Sequence, residues 1–137
     1  FRSMSDLSWG MQHDAQMLEN GNILFFANGF TTFNFPHSRV IELDPQSREI
    51  VWDYKGSPPL SFFSPHISGA QRLSSGNTLI CEGGWGRIFE VISDGKIIWE
   101  YISPHEKEFP NGELLNWVFR AYRYAEESSQ INGRALA

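Results

Sequence analysis

The chain has 137 residues, of which 41% are hydrophobic, 15% aromatic and 20% charged, and its formal net charge is -5. A chain of this size and composition can bury a hydrophobic core, which predicts a globular domain. The negative charge and the absence of any lysine or arginine run argue against nucleic acid and anionic membranes as partners, because both require clustered positive charge. No apolar stretch reaches the ~20 residues of a membrane-spanning helix.

The chain carries two copies of one pattern, offset by about fifty residues, which is typical of repeat architectures such as propellers. Each copy opens with two short apolar segments around a turn, Gly21-Asn22 in the first and Gly76-Asn77 in the second. Glycine and asparagine tolerate the positive φ of tight turns, so each pattern predicts a β-hairpin. Two further β-rich segments follow in each copy. In chain order, the predicted strands span residues 12–18, 23–27, 40–44 and 49–54, and then 67–73, 78–82, 88–91 and 96–101.

Four short antiparallel strands in about fifty residues make one blade of a β-propeller, so the predicted fold is all-β with two four-stranded blades. Trp52 and Trp99 recur in the fourth strands and are predicted to pack between blades. Residues 116–124 are strand-like in composition and predict a third inner strand. The predicted divisions are an N-terminal tail or tag remnant at 1–8, blade 1 at 9–57, blade 2 at 58–104, a loop with the extra strand at 105–125 and a flexible tail at 126–137.

The single cysteine, Cys81, leaves no internal disulfide and no thiolate metal cluster, and its apolar neighbours predict a buried, unreactive thiol. Residues Phe1 to Gly10 lack the basic start and the apolar stretch of a signal peptide, which predicts a cytoplasmic protein by default.

Five segments together carry a family resemblance: Gln12–Gly29, Ser38–Asp44, Ser64–Gly83, Gly86–Val91 and Val118–Tyr124. Over roughly residues 9–124 they resemble the C-terminal part of the aryl-sulfate sulfotransferase propellers. The resemblance implies a six-bladed propeller, and the family's enzymes move a sulfuryl group from one phenol to another through a sulfated histidine. Those enzymes are often periplasmic, so localisation stays open.

Two histidines and two arginines are the candidate site residues. Sulfuryl transfer needs a neutral imidazole nucleophile and cationic groups around the sulfate oxygens. His66, just before the second inner strand, is the candidate nucleophile or its neighbour, and His13 matches a histidine of the family, as a candidate for catalysis and for anion binding. Arg39 resembles the family's sulfate-contacting arginine, and Arg87 recurs at the same position of the second blade, so both are candidates for binding sulfate or another anion.

Each candidate also has a structural interpretation. A histidine at the start of a strand can pack and hydrogen-bond without any ligand. The recurrence of the two arginines favours ion pairs, with Glu42, Glu90 or backbone carbonyls of a neighbouring blade as the expected partners. Asp14 is the candidate for orienting the His13 ring. No spacing of histidine and carboxylate residues indicates a metal site, so neither metal nor cofactor is expected, while calcium held by backbone carbonyls in the channel stays open.

Two blades leave open faces, whereas propellers have four to eight blades. Either the chain is part of a longer protein or copies associate, and a cyclic homotrimer would supply the six blades of the family. Three symmetric copies would not rebuild an asymmetric active site. The sequence therefore favours a ligand-binding or scaffold propeller whose channel takes a small anion or an aromatic sulfate. The alternatives are an active sulfotransferase and a truncated, non-catalytic remnant.

Overall fold

The computed structural model describes residues 9–29, 36–132 and 134, and these form two four-stranded sheets and one small sheet. Sheet 1 contains β1 (Gln12–Met17), β2 (Ile23–Ala27), β3 (Arg39–Asp44) and β4 (Glu49–Lys55). Sheet 2 contains β5 (Gly69–Arg72), β6 (Thr78–Glu82), β7 (Arg87–Val91) and β8 (Ile97–Ile102). The small sheet pairs β9 (Lys107–Glu108) with β10 (Leu114–Leu115), and short 3-10 helices span Pro59–Ser61 and Gly83–Trp85.

Within sheet 1 and within sheet 2, strands that are consecutive in the chain pair antiparallel. Gly21 and Gly76 adopt φ values of 85° and 87° in the first hairpin of each sheet, a conformation that glycine reaches without a steric penalty. The register also shifts at corresponding places, after Glu42 in β3 and after Glu90 in β7. The prediction of an all-β fold with two four-stranded antiparallel sheets is confirmed, and the sheets are consistent with propeller blades.

The main core lies between the two sheets and centres on the fully buried ring of Phe62. Its centroid is 5.4 Å from that of Phe26, 5.1 Å from that of Tyr54 and 5.7 Å from that of Phe89, with the ring planes 71° to 88° apart. Such edge-to-face pairs stabilise by about 0.5–1.5 kcal/mol each beyond the burial of their area. The sheets are therefore joined by an aromatic core that both contribute to.

A polar contact between the sheets lies beside this core. The Arg72 guanidinium on β5 binds the Glu42 carboxylate on β3 at 2.6 Å and stacks 4.6 Å from the centre of the Trp52 ring. Asn20 and Asn22 donate to the same carboxylate at 3.1 and 2.7 Å. Burial opposes ionisation of Glu42, but the two amides and the arginine charge together lower its pKa. Glu42 is thus held as a carboxylate at the boundary between the sheets.

Residues 116–124 form no strand, so the prediction of a third inner strand is wrong for the isolated chain. The segment nevertheless lies against β5, because Gln71 donates to the Arg123 carbonyl at 3.0 Å and the backbone NH of Ser68 donates to the Phe119 carbonyl at 3.1 Å. Gln16 makes the corresponding contact to the Ala70 carbonyl. A strand needs a partner with which to form a ladder, and none of the described residues provides one on the far side of this segment.

The contacts of Arg123 in this segment correspond to those of Arg72. Arg123 binds the Glu90 carboxylate, and its guanidinium lies 4.9 Å from the centre of the Trp99 ring. Trp99 remains 42% exposed, while Trp52 is partly buried by sheet 2. The prediction of packing between blades therefore holds for Trp52 but not for Trp99, because no described residues form a sheet over its outer side.

The predicted divisions at the two chain ends, a tail or tag remnant at 1–8 and a flexible tail at 126–137, stay predictions. Residues 1–8 lie outside the described residues, so the tail or tag remnant proposed there is not described. Residues 126–132 form consecutive turns, with the Ser128 NH bonded to the Ala125 carbonyl at 2.9 Å and the Ile131 NH to the Ser128 carbonyl at 3.1 Å. Among the described residues, no helix has the length and apolar character needed to cross a membrane.

Replacing Arg72 by methionine should reduce the free energy of unfolding by about 1–2 kcal/mol, because the partly buried Glu42 carboxylate loses its cation. Methionine occupies the corresponding position, Met17, in β1. Urea denaturation measures the change, with the exposed Lys107→Met as the matched control. The folded protein lowers the pKa of Glu42. The ionised carboxylate therefore stabilises the fold fully at a pH above its ordinary pKa of 4.5, and this stabilisation is lost as the pH falls through the folded-state pKa. The free energies of unfolding of the native protein and of Arg72→Met should therefore converge in acid. A difference that does not change with pH would show that the Arg72–Glu42 ion pair is not its cause.

The Cys81 thiol should not react with a disulfide reagent in the folded protein. Burial raises its pKa to about 12, the charges of Asp14 and Glu82 add to the shift, and the Val118 carbonyl lies 3.6 Å from Sγ. The reaction needs an accessible thiolate. Labelling should be complete after unfolding and rapid in an exposed Ser75→Cys control. Rapid labelling of native Cys81 would show that residues 116–124 do not cover β6.

Candidate ligand site at the start of the inner strands

His13 lies at the start of β1, where the backbone is irregular. The pairing of β1 with β2 shifts between His13 and Gln16, and Met11 and Asp14 adopt φ values of 59° and 54°. Positive φ is unfavourable for residues with a side chain, so it persists only where surrounding contacts enforce it. The His13 Nδ1 atom lies 2.6 Å from Oδ1 of Asn28 and 3.3 Å from the Met11 carbonyl oxygen. The ring is thus anchored through Nδ1.

Asn28 follows β2 and is fully buried. Its Nδ2 atom donates to the backbone carbonyls of Ser64 at 2.8 Å and Ile67 at 3.1 Å. These two residues flank His66, so one side chain connects His13 to the loop that carries the second candidate histidine. The structure therefore links the two sequence-predicted histidines through a residue that the sequence analysis did not single out.

The loop before β5 is also held by buried serines. The Ser64 NH donates to the Ser38 hydroxyl at 2.9 Å, and the Ser64 hydroxyl donates to the His66 carbonyl at 2.8 Å. Ile67 and Ser68 adopt φ values of 52° and 92°. Positive φ at a β-branched residue such as isoleucine is an outlier, and such strain often accompanies functional loops. The backbone around His66 is therefore specified by hydrogen bonds rather than by a strand.

His66 is partly buried and packs against an aromatic side chain. Its ring lies 4.5 Å from the Trp117 ring at an angle of 75°, and Trp117 in turn lies 4.8 Å from Phe109. The Nε2 atom of His66 is buried and has no hydrogen-bond partner among the described residues. Buried polar atoms are normally paired, and His66 Nε2 is one of three buried side-chain atoms in the described residues without a partner, with Asp14 Oδ2 and Ser128 Oγ. The role of His66 as nucleophile stays a prediction.

Arg39 is the first residue of β3 and forms an ion pair within sheet 1. Its guanidinium donates to Asp53 on β4 through Nε at 3.1 Å and Nη2 at 2.5 Å. Lys55 lies 3.5 Å from the same carboxylate. An anion that bound Arg39 would compete with Asp53, so the geometry favours the structural interpretation of this arginine.

Arg87 occupies the corresponding place in sheet 2. It binds Glu82 at 3.0 Å and Glu100 at 2.5 Å, and its guanidinium lies 4.3 Å from the centre of the Phe89 ring. Burial raises the pKa of Glu82 above its ordinary value, although the hydrogen bond from Arg87 opposes the shift. Two carboxylates thus share one guanidinium, which leaves it poorly suited to an external anion.

The expected ion-pair partners of the two arginines, Glu42 and Glu90, are wrong. These carboxylates bind Arg72 and Arg123 instead, at the contacts described above. The difference arises because Arg39 on β3 pairs with the neighbouring strand β4, where the register places the Asp53 carboxylate diagonally opposite. Anion binding by Arg39 and by Arg87 remains a prediction that their ion pairs do not support.

Asp14 does not orient the His13 ring, contrary to the sequence interpretation. Its Oδ1 atom accepts hydrogen bonds from the Tyr122 hydroxyl and from Arg120, the latter at 3.3 Å. A Cβ at Gly69 would overlap the Asp14 carboxylate, which packs directly against this glycine. The Asp14 carboxylate thus contacts the segment 116–124 rather than the ring of its neighbour. Within the described part of the chain, no group of three or more histidine, cysteine and carboxylate residues could hold a metal ion.

Comparison with known proteins identifies the family. The pattern of the family described as Arylsulfotransferase (ASST) matches residues 1–104, which is more than half of the chain. The chain belongs to the arylsulfotransferase family. This arylsulfotransferase-family chain is also similar to a solved protein of unknown function from Bacteroides caccae, with 16% sequence identity and a TM-score of 0.49. The match covers 75% of this chain and 36% of that protein, so the chain spans about a third of its length. No curated protein matches.

Proposed function

We propose that this chain is part of a β-propeller that binds a small aromatic sulfate where the inner strands begin. The observation that carries the proposal is the buried Asn28 amide, which bonds the His13 ring on one side and the loop around His66 on the other. A buried amide with three hydrogen-bond partners rigidifies its surroundings, so it holds the two histidine segments in a defined geometry. Family membership supplies the ligand class, because the family's name denotes transfer of an aryl-linked sulfate group.

The surroundings suit such a ligand chemically. A small-molecule site combines apolar surface with a few directed polar groups. Trp117, 44% exposed beside His66, offers an aromatic surface for an aryl ring. The His66 ring offers a nitrogen without a hydrogen-bond partner among the described residues for the sulfate group, whereas Arg39 and Arg87 are held by carboxylates. The proposal therefore rests on the histidines rather than on the arginines.

A second candidate function is sulfuryl transfer through a histidine. One observation favours it: the buried Nε2 atom of His66 has no hydrogen-bond partner in the described residues. In the tautomer that leaves the lone pair on Nε2, this nitrogen is a competent nucleophile once a ligand reaches it. A protein that only binds an aromatic sulfate leaves it intact, whereas a sulfotransferase releases the phenol from it.

Adding para-nitrophenyl sulfate should raise the melting temperature of the protein, because a ligand at one hundred times its Kd stabilises the folded state by about 2.7 kcal/mol. The shift should fall sharply in His66→Asn and persist in His105→Asn, which alters an exposed loop histidine. Inorganic sulfate should give a smaller shift because it lacks the ring. Release of nitrophenolate with a phenol acceptor would favour the transferase. If para-nitrophenyl sulfate neither raised the melting temperature nor released nitrophenolate, both functions would be contradicted.

We also propose that copies of the chain complete a six-bladed ring as a trimer. Support comes from the exposed outer side of sheet 2, where Trp99 and Tyr101 are each 42% exposed and their rings stack 6.4 Å apart. The corresponding side of sheet 1 is covered by sheet 2. Residues 116–124 already lie beside β5, where the inner strand of the next blade would lie. In the proposed ring, this segment would replace β1 of the neighbouring copy, and that copy's β2, β3 and β4 would complete the blade.

The mass in solution tests this assembly. Light scattering should give about three times the chain mass of 15.7 kDa at micromolar concentration. Trp99→Glu should shift the protein toward the monomer, because it places a charge on the covered surface, while Trp85→Glu, a comparable change at another exposed tryptophan, should not. A monomer of one chain mass across all concentrations would contradict the trimer.

A further inference from the structure

We propose that Asn28 is a positioning residue that holds the His13 ring in the tautomer with its proton on Nδ1, so that Nε2 is the ring atom that meets a ligand hydroxyl. The tautomer follows from the hydrogen bonds alone. The assignment of a ligand to Nε2 rests on the proposed function.

The orientation of the Asn28 amide is determined by its neighbours. The atom assigned as Nδ2 lies 2.8 Å from the Ser64 carbonyl oxygen and 3.1 Å from the Ile67 carbonyl oxygen. Carbonyl oxygens only accept hydrogen bonds, so the atom that faces them must be the amide nitrogen with its two hydrogens. A flipped amide would place an oxygen against two oxygens in a fully buried position. The other end of the amide is therefore the oxygen Oδ1.

The protonation of His13 follows from this orientation. Its Nδ1 atom lies 2.6 Å from Oδ1 of Asn28 and 3.3 Å from the Met11 carbonyl oxygen. Both neighbours can only accept, so Nδ1 must carry the proton and donate. In a neutral imidazole only one nitrogen is protonated, which leaves the lone pair on Nε2. None of the described residues forms a hydrogen bond with that atom.

The fixed lone pair determines which ligand group His13 can serve. A neutral Nε2 accepts a hydrogen bond and cannot donate one to a sulfate oxygen. It therefore fits a ligand hydroxyl, such as that of a phenol, whose proton it can accept. His66 differs, because its Nε2 atom is buried against Trp117. We assign His13 to the hydroxyl-bearing group of the ligand and leave the aromatic surface to Trp117.

Nitrogen NMR of the uniformly labelled full chain tests the tautomer without any ligand. At a pH where the rings are neutral, long-range couplings distinguish a protonated Nδ1 from a protonated Nε2, and the four histidines can be assigned with single variants such as His13→Asn. We expect His13 to show the Nδ1-protonated form and the exposed His105 to show the Nε2-protonated form that free histidine prefers. A native His13 with its proton on Nε2 would overturn the inference. Failure of ligand binding alone would not alter this result.

The role of Asn28 is tested by Asn28→Ala, with Asn22→Ala as the matched control at the other end of the sheet. The first variant should move His13 toward the Nε2-protonated form and weaken phenol binding about tenfold, the loss of one net hydrogen bond. The control removes an amide that binds Glu42 and should leave the His13 tautomer unchanged. An unchanged tautomer in a folded Asn28→Ala protein would overturn the positioning role. If that variant does not fold, the native tautomer still decides the inference.

Discussion

The packing of sheet 2 on sheet 1 around Phe62 determines where the candidate site forms. Phe62 is fully buried although it lies in the connection between the sheets rather than in a strand. Its carbonyl accepts a hydrogen bond from the Ser38 NH at 2.9 Å. The same connection continues directly to Ser64 and His66. The ring that joins the sheets therefore also positions the loop whose carbonyls bind Asn28, so the hydrophobic core and the polar site share one segment.

Polar contacts add specificity to this arrangement. Three side chains meet at the boundary between the sheets: the Glu42 carboxylate on the third strand, the Trp52 ring on the fourth strand and the Arg72 guanidinium on the inner strand of sheet 2. Arg123 repeats the arrangement beside sheet 2. Isolated ion pairs on the surface contribute little to stability. A partly buried ion pair acts differently, because another packing of the sheets would leave its carboxylate buried without a cation. The contact therefore specifies which inner segment lies against which sheet.

The sequence predicted what depends on local chemistry and missed what depends on register. The turns at Gly21 and Gly76 and the alternation of β-rich segments are local, and they located all eight strands of the two sheets. The partner of Arg39 depends on the register of β3 and β4, which places Asp53 diagonally opposite Arg39 and which no motif reveals. Residues 116–124 have the composition of a strand, but a strand also requires a neighbour. Asn28 was detectable only as a difference between the copies, since Gly83 stands at the corresponding place.

The choice of an amide at residue 28 has a chemical reason. A carboxylate in the same place would also accept the Nδ1 proton of His13, but it would favour the charged imidazolium and face two carbonyl oxygens at Ser64 and Ile67. A buried negative charge would also repel an anionic ligand. The amide donates to both carbonyls, accepts from the ring and adds no charge. It therefore holds the proton of the neutral ring on Nδ1 and adds no charge beside a site for an aromatic sulfate and a phenol hydroxyl.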